Sequence, residues 1–169
     1  MRNYTPPPVE ARVILRSPVH LLAFGFGTGL SPKGPGTVGT LAGLPFWLLL
    51  QPLPWPAYLA ACAVLFGFGC WVCGESARRL GVHDHGGIVF DEIVGFLVAC
   101  VPLLLWNLSP VWLIAAFALF RLSDILKPWP IKVLDAKVHG GFGIMVDDLL
   151  AGAMSAGVLA VVVQAFGAQ

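Results

Sequence analysis

The charged residues of this chain fall in three blocks, 2–33, 75–92 and 121–148, separated by long apolar stretches. Residues 34–74, 93–120 and 149–169 contain no Asp, Glu, Lys or Arg. The first two stretches are too long for one helix across a bilayer, and each has a breaker near its middle. One is Gln51-Pro-Leu-Pro-Trp-Pro56, the other Asn107-Leu-Ser-Pro110. Proline removes a backbone donor and disfavours helix in the residue before it, so both read as turns. Division there predicts five apolar helices, at about 38–50, 57–74, 93–106, 110–126 and 149–166. No internal repeat accompanies this order.

Composition turns the pattern into a class. Of 169 residues, 57% are hydrophobic and 11% charged, and the mean hydropathy is +0.83. Soluble domains carry about 25% charged residues. The expected fold is therefore an all-α integral membrane helical bundle of about five apolar helices plus short interfacial ones; a very apolar soluble helical protein is the competing class. Five crossings put every charged block on one side and both proline turns and the C-terminus on the other. All ten Lys and Arg then lie in the cytoplasm of a bacterial inner membrane, as the positive-inside rule asks. Several helices fall short of the roughly 20 residues that cross a bilayer core. The fourth continues through Arg121 and Asp124.

A net charge of +1 gives no reason to expect nucleic acid. Cys62, Cys70, Cys73 and Cys100 sit in apolar stretches, as core or lipid-facing filler rather than a disulfide framework. The N-terminus lacks a small-residue cleavage site behind its apolar run, so a secretory signal is a poor reading. Residues 1–16 are expected to be a loose tail and 17–169 a single domain. Ser17-Pro18 reads as the N-cap and first position of a short interfacial helix.

Three polar segments share one side of this bundle. Residues 25–40 hold six glycines, three threonines, Ser31 and Lys33, a plausible anion cradle in which Thr37 or Thr40 opens the next helix. It is not a Walker A loop, since the Gly-Lys-Ser/Thr order is missing. The second segment supplies His83, Asp84, His85, Asp91 and Glu92 just before an apolar helix. The third places Arg121, Asp124 and Lys127 along one helix face, then Asp135, His139 and the pair Asp147-Asp148 before the last helix. One acidic pair at a helix start complements the helix dipole. Two pairs with a cation–carboxylate face suggest a shared site. Carboxylate oxygens suit Mg²⁺, which bridges protein carboxylates to substrate phosphates, and nearby cations clamp phosphate oxygens. The residues thus point to metal-assisted phosphate chemistry at a membrane interface.

Cys73 and Arg79 have the C-x5-R spacing of a cysteine phosphatase, but one glycine and Glu75 between them suit a phosphate loop poorly. Cys70-x-x-Cys73 lacks the second pair a zinc site needs. Two more function classes compete: a phospholipid headgroup transferase, and a small membrane transporter or scaffold. Transporters place ionisable groups within spans, and the uncharged stretches that form these spans have none.

The chain resembles the bacterial phosphatidylglycerophosphatase A family from about Ser17 to Gly157. The stretches that carry the likeness are Gly25-Phe-Gly-Thr-Gly-Leu-Ser-Pro, Pro35-Gly-Thr-Val-Gly, Gly81-Val-His-Asp-His-Gly and Ile88-Val-Phe-Asp-Glu92. Phe120-Arg, Asp124, Lys127-Pro-Trp-Pro-Ile131, Asp135 and Val138-His-Gly-Gly-Phe-Gly-Ile-Met-Val-Asp-Asp148 continue it. The resemblance implies a Mg²⁺-dependent phosphatase that converts phosphatidylglycerophosphate to phosphatidylglycerol; direct attack by a metal-activated water requires no phosphoenzyme. It also implies that the metal-binding or catalytic acids are Asp91, Glu92, Asp124, Asp147 and Asp148. Asp124 is a further ligand or an orienter of Lys127. Lys33, Thr37, Arg121 and Lys127 are placed around the phosphate. His83 and His85 are weaker candidates, for a structural hydrogen-bonding role or a catalytic one, and Asp84 is a further catalytic candidate.

Overall fold

The computed structural model describes residues 10–166 and is helical throughout, with no strand among them. Two short helices, α1 (Ala11–Arg16) and α2 (Pro18–Ala23), precede a 3-10 segment, Gly25–Leu30. Five longer segments follow: α3 (Pro35–Leu50), α4 (Trp55–Leu80), α5 (Phe90–Ala99) continued by α6 (Val101–Leu105), α7 (Trp112–Leu126) and α9 (Gly140–Phe166). The short α8 (Ile131–Lys137) joins the last two. The five apolar segments are thus helices, divided at the two proline turns.

Their ends differ from expectation where side chains outside the hydrophobic pattern decide. Pro35 occupies the first turn of α3 behind Gly34 at φ +55, so neither Thr37 nor Thr40 opens that helix. Helix α4 runs on through its charged turn because Glu75 pairs with Arg78 at 2.7 Å and Arg79 at 2.6 Å. It stops at Gly81, whose φ of +68 forms a left-handed cap. Helix α9 starts well before the expected residue 149, which puts Asp147 and Asp148 inside it rather than ahead of it. Its glycine-rich opening is helical because Gly141 lies against the Cys70 carbonyl and Gly74 of α4, where a side chain would collide. Part of the expected loose tail is ordered: α1 buries Ile14 completely, while residues 1–9 lie outside the described residues. Ser17 is at the N-cap of α2, but its hydroxyl makes no capping hydrogen bond.

Two helices, α4 and α9, are long and apolar enough to cross a membrane. At 1.5 Å per residue they measure ~39 and ~40 Å, against a hydrocarbon core of about 30 Å. Helices α3 and α7 reach only ~24 and ~22 Å by the same rise, so five full-length crossings are not what the helix lengths give. Only 28% of the most apolar window of either long helix is buried. A soluble core helix would hide most of that surface. Leu49, Val64, Ile114, Val161 and Phe166 likewise face outward. The molecule is apolar outside as well as inside, the pattern of a membrane protein.

Helix α5 is the axis of the bundle, with Phe90, Ile93, Val94, Gly95, Phe96, Leu97 and Ala99 all buried. It packs against α3, α4, α7 and α9, and α9 in turn against α4, α7 and α8. At the α5–α9 crossing a Cβ on Gly95 would lie 2.6 Å from the Asp148 carbonyl, and one on Gly152 would strike the Gly95 carbonyl. That contact brings Asp91-Glu92 and Asp147-Asp148 to the same end of the bundle. The two uncharged turns meet at the other end, where Gln51, Pro54, Asn107 and Pro110 line a common cleft.

Candidate active site

Two ion-pair groups occupy the charged end. In the first, Arg121 Nη1 of α7 donates to Glu92 Oε1 of α5 at 3.0 Å and to Thr40 Oγ1 of α3 at 3.3 Å, and forms an ion pair with Asp124 Oδ2 at 2.8 Å. One guanidinium thereby ties three helices together. The Glu92 carboxylate fits because α3 presents no side chain there. A Cβ on Gly36 would overlap Glu92 Oε1, and one on Gly39 would lie 2.7 Å from Oε2. Arg121 and Glu92 side chains are 14% and 13% exposed, so this is an interior ion pair.

The second group centres on Lys127, the left-handed cap of α7 at φ +41. Its Nζ donates to Asp147 Oδ2 of α9 at 2.7 Å and to Asp135 Oδ1 of α8 at 2.9 Å. Asp147 is buried and Asp135 half exposed. Asp148 joins the two groups, lying within hydrogen-bonding reach of Asp124 and beside Asp91 and Asp147. Asp91 in turn feels Glu92, Asp84 and Asp147.

The structure thus brings together Asp91, Glu92, Asp124, Asp147 and Asp148 with Arg121 and Lys127. It changes some details. Asp124 pairs with Arg121 and not with Lys127, so it does not orient the lysine; Asp135 and Asp147 do. Arg121 turns inward to carboxylates instead of offering all its donors to a phosphate. Lys33 and Thr37 are exposed near the start of α3, with no ion pair and no side-chain hydrogen bond among the described residues. Asp84 is exposed on the rim. His83 Nε2 lies 2.8 Å from His139 Nδ1, both exposed, while His85 Nδ1 accepts from the Gly87 amide and its ring lies against Phe24. Sequence reasoning missed Thr40 as a partner of Arg121; its spacing of four from Gly36, whose carbonyl accepts the Thr40 hydroxyl at 2.9 Å, was the available signal. Cys73 is fully buried in the middle of α4, and Arg79 is held by Glu75. No cysteine phosphate loop exists there.

Seven carboxylates, counting Asp84 and Asp135, share this end with the two cations paired to them. Their titration reflects the imbalance. Burial, reinforced by Glu92, Asp84 and Asp147, pushes Asp91 far above the usual carboxylate range. Burial also raises Glu92 to about 7; Arg121 opposes that rise while Asp124 and Asp84 add to it. Burial alone would lower Lys127, but its hydrogen bonds to Asp147 and Asp135 prevail and raise it. Among the described residues no three ligating side chains converge on one point; Glu92, Asp124, Asp135 and Asp147 are turned to Arg121 or Lys127 instead. A hard divalent cation nevertheless fits: the donors are all oxygens, negative charge is in excess, and Glu92 Oε2 is buried with no partner.

A family model for phosphatidylglycerophosphatase A matches residues 21–163. The chain belongs to the phosphatidylglycerophosphatase A family. It is 46% identical over 152 residues to phosphatidylglycerophosphatase A of Escherichia coli K12, covering 89% of this chain and 86% of the relative. The Haemophilus influenzae protein of the same name is 48% identical over 143 residues, covering 83% and 85%. A Bacteroides thetaiotaomicron protein named for phosphatidylinositol-3-phosphatase activity is 41% identical over 143 residues, covering 80% and 87%. No solved structure matches the chain. Membership makes the chain a membrane phosphatase, and the transferase, transporter and scaffold readings fall away.

Proposed function

We propose that the chain hydrolyses the terminal phosphate of phosphatidylglycerophosphate to give phosphatidylglycerol and phosphate, with Mg²⁺, at the cytoplasmic face of a bacterial inner membrane. The observation that carries this reading is the surplus of buried carboxylates over cations at one end of an otherwise apolar bundle. Asp91, Glu92, Asp124, Asp147 and Asp148 would hold the ion. Bound there, Mg²⁺ would offset charge on the phosphoryl oxygens and acidify a nearby water.

The chain's own residues do the rest. Lys127 is fixed by the cap of α7, and its partner Asp135 is exposed enough to be replaced by a phosphate while Asp147 keeps the ammonium in place. Arg121 has spent Nη1 on Glu92, Asp124 and Thr40 and buries Nε without a partner, so Nη2 is the group that would face the phosphate. Lys33 and Thr37 complete the cradle from the start of α3. A cradle of this kind steadies charge spread over the transferring group. The water oxygen bonds to phosphorus as the glycerol oxygen departs, and the proton lost by water ends on that oxygen. A carboxylate of this cluster that does not hold the ion would take and return it. His83 and Asp84 border the site on its exposed rim.

The positive-inside rule sets the charged end in the cytoplasm. Five crossings then require α3, α5–α6 and α7 to sit in a locally thinned bilayer. The experiment is phosphate release by the purified protein in mixed micelles, offered either phosphatidylglycerophosphate or phosphatidylinositol 3-phosphate. The reading expects the former to be the better substrate by at least about tenfold. Equal rates, or preference for the inositol lipid, would refute it.

A further inference from the structure

Helices α3 and α7 meet at the charged end through the Arg121–Thr40 hydrogen bond of 3.3 Å, and both pack against α5. Toward the uncharged end, a groove of about 240 Å³ lies between them. Its walls are Leu41 and Leu44 of α3, Leu113, Ile114 and Phe117 of α7, and Pro110. No polar side chain lines it. Leu41 is the residue after Thr40, and Phe117 lies one turn before Arg121, so the groove begins where the polar site ends. Ile114 is 71% exposed and Leu41 46%, so it opens sideways, toward lipid. At Pro110 it joins the wider cleft of about 500 Å³ to which Gln51, Asn107 and Trp47 contribute.

All of the outer apolar surface meets lipid in a bilayer. This groove differs in being concave and in leading to Arg121. A second apolar depression, on α9 around Met154, Val158 and Val161, starts nearly two turns beyond Asp148 and leads to no polar site. We propose that the α3–α7 groove holds one acyl chain of the lipid phosphate substrate, which rests on reading the charged end as a lipid phosphatase site. A substrate arriving from the side keeps its chain in apolar contact while the headgroup turns inward past Arg121. Carbons that reach beyond Pro110 enter that cleft, where Gln51 and Asn107 stand among Trp47, Leu103 and Leu104.

The test is photolabelling of the unmodified protein in phosphatidylcholine vesicles, using phosphatidylglycerophosphate with a diazirine midway along one chain. Label is expected on 41–47 and 110–117, displaced by unlabelled phosphatidylglycerophosphate. Label spread over α4 and α9, or not displaced by that lipid, is surface lipid only and overturns the proposal. Labelling needs no turnover: a protein labelled in the groove that releases no phosphate refutes the function proposed above and leaves the groove standing. Ile114→Trp supplies a second reading by narrowing the open side. It is expected to lower the ratio of kcat/KM for long-chain over short-chain substrate at least about tenfold; an unchanged ratio overturns the proposal.

Discussion

Glu92 is held by opposing demands. Arg121 keeps one oxygen ionically bound, while the other is buried without a partner among neighbouring carboxylates. The folded chain therefore retains a proton on Glu92 up to about 7, against an ordinary 4.5. The unfolded chain loses that proton near the lower value, so the metal-free fold loses stability as pH rises between the two. A cation that needs the carboxylate gains affinity over the same interval. The expected outcome is that Mg²⁺ stabilises the protein more at pH ~7.5 than at pH ~5.5, and that Glu92→Gln narrows the difference. Thermal-shift titrations at the two pH values check it; equal affinities in the wild type would count against the charge surplus. The glycines facing Glu92 make a second residue-scale prediction. Gly36→Ala places a Cβ on the Glu92 carboxylate and near Arg121. Overpacking of this kind costs about 1–3 kcal/mol, so a lower Tm and a lower kcat are expected together.

At the scale of elements, the α5–α9 crossing sets the site, because Asp91-Glu92 ride on one helix and Asp147-Asp148 on the other. Gly152→Val drives a side chain into the Gly95 carbonyl and must separate them; loss of both stability and phosphate release is expected. Gly157 faces open space on the same helix. Gly157→Ala should instead raise stability by roughly 0.5–1 kcal/mol through helix propensity alone, measured by thermal unfolding in detergent. Destabilisation by Gly157→Ala would show that α9 packs differently from this structure. The contrast also marks what was legible in the sequence. The apolar segments and proline turns could be read because hydrophobicity and proline act locally. The start of α9 could not, because Gly141 and Gly143 disfavour helix until α4 and the Val138 carbonyl are packed against them. The five acids were legible as motifs. Their division between Arg121 and Lys127 was not, because it depends on which helices cross.

For the whole molecule, polarity is sorted by end: ion pairs gather the charged termini of the helices, and the two uncharged turns share a cleft. With the four native cysteines removed, single cysteines at Gln51 and Lys137 are expected to react from opposite sides of sealed vesicles. Reaction of both from one side would exclude an odd number of crossings between them. The charged end itself answers to one measurement above the others. That is phosphate release from phosphatidylglycerophosphate by purified wild type and Asp91→Asn, each with Mg²⁺ and with chelator. The account predicts release only with Mg²⁺, and a fall of at least about 100-fold in folded Asp91→Asn. Undiminished release under chelation, or an unimpaired Asp91→Asn, would contradict it.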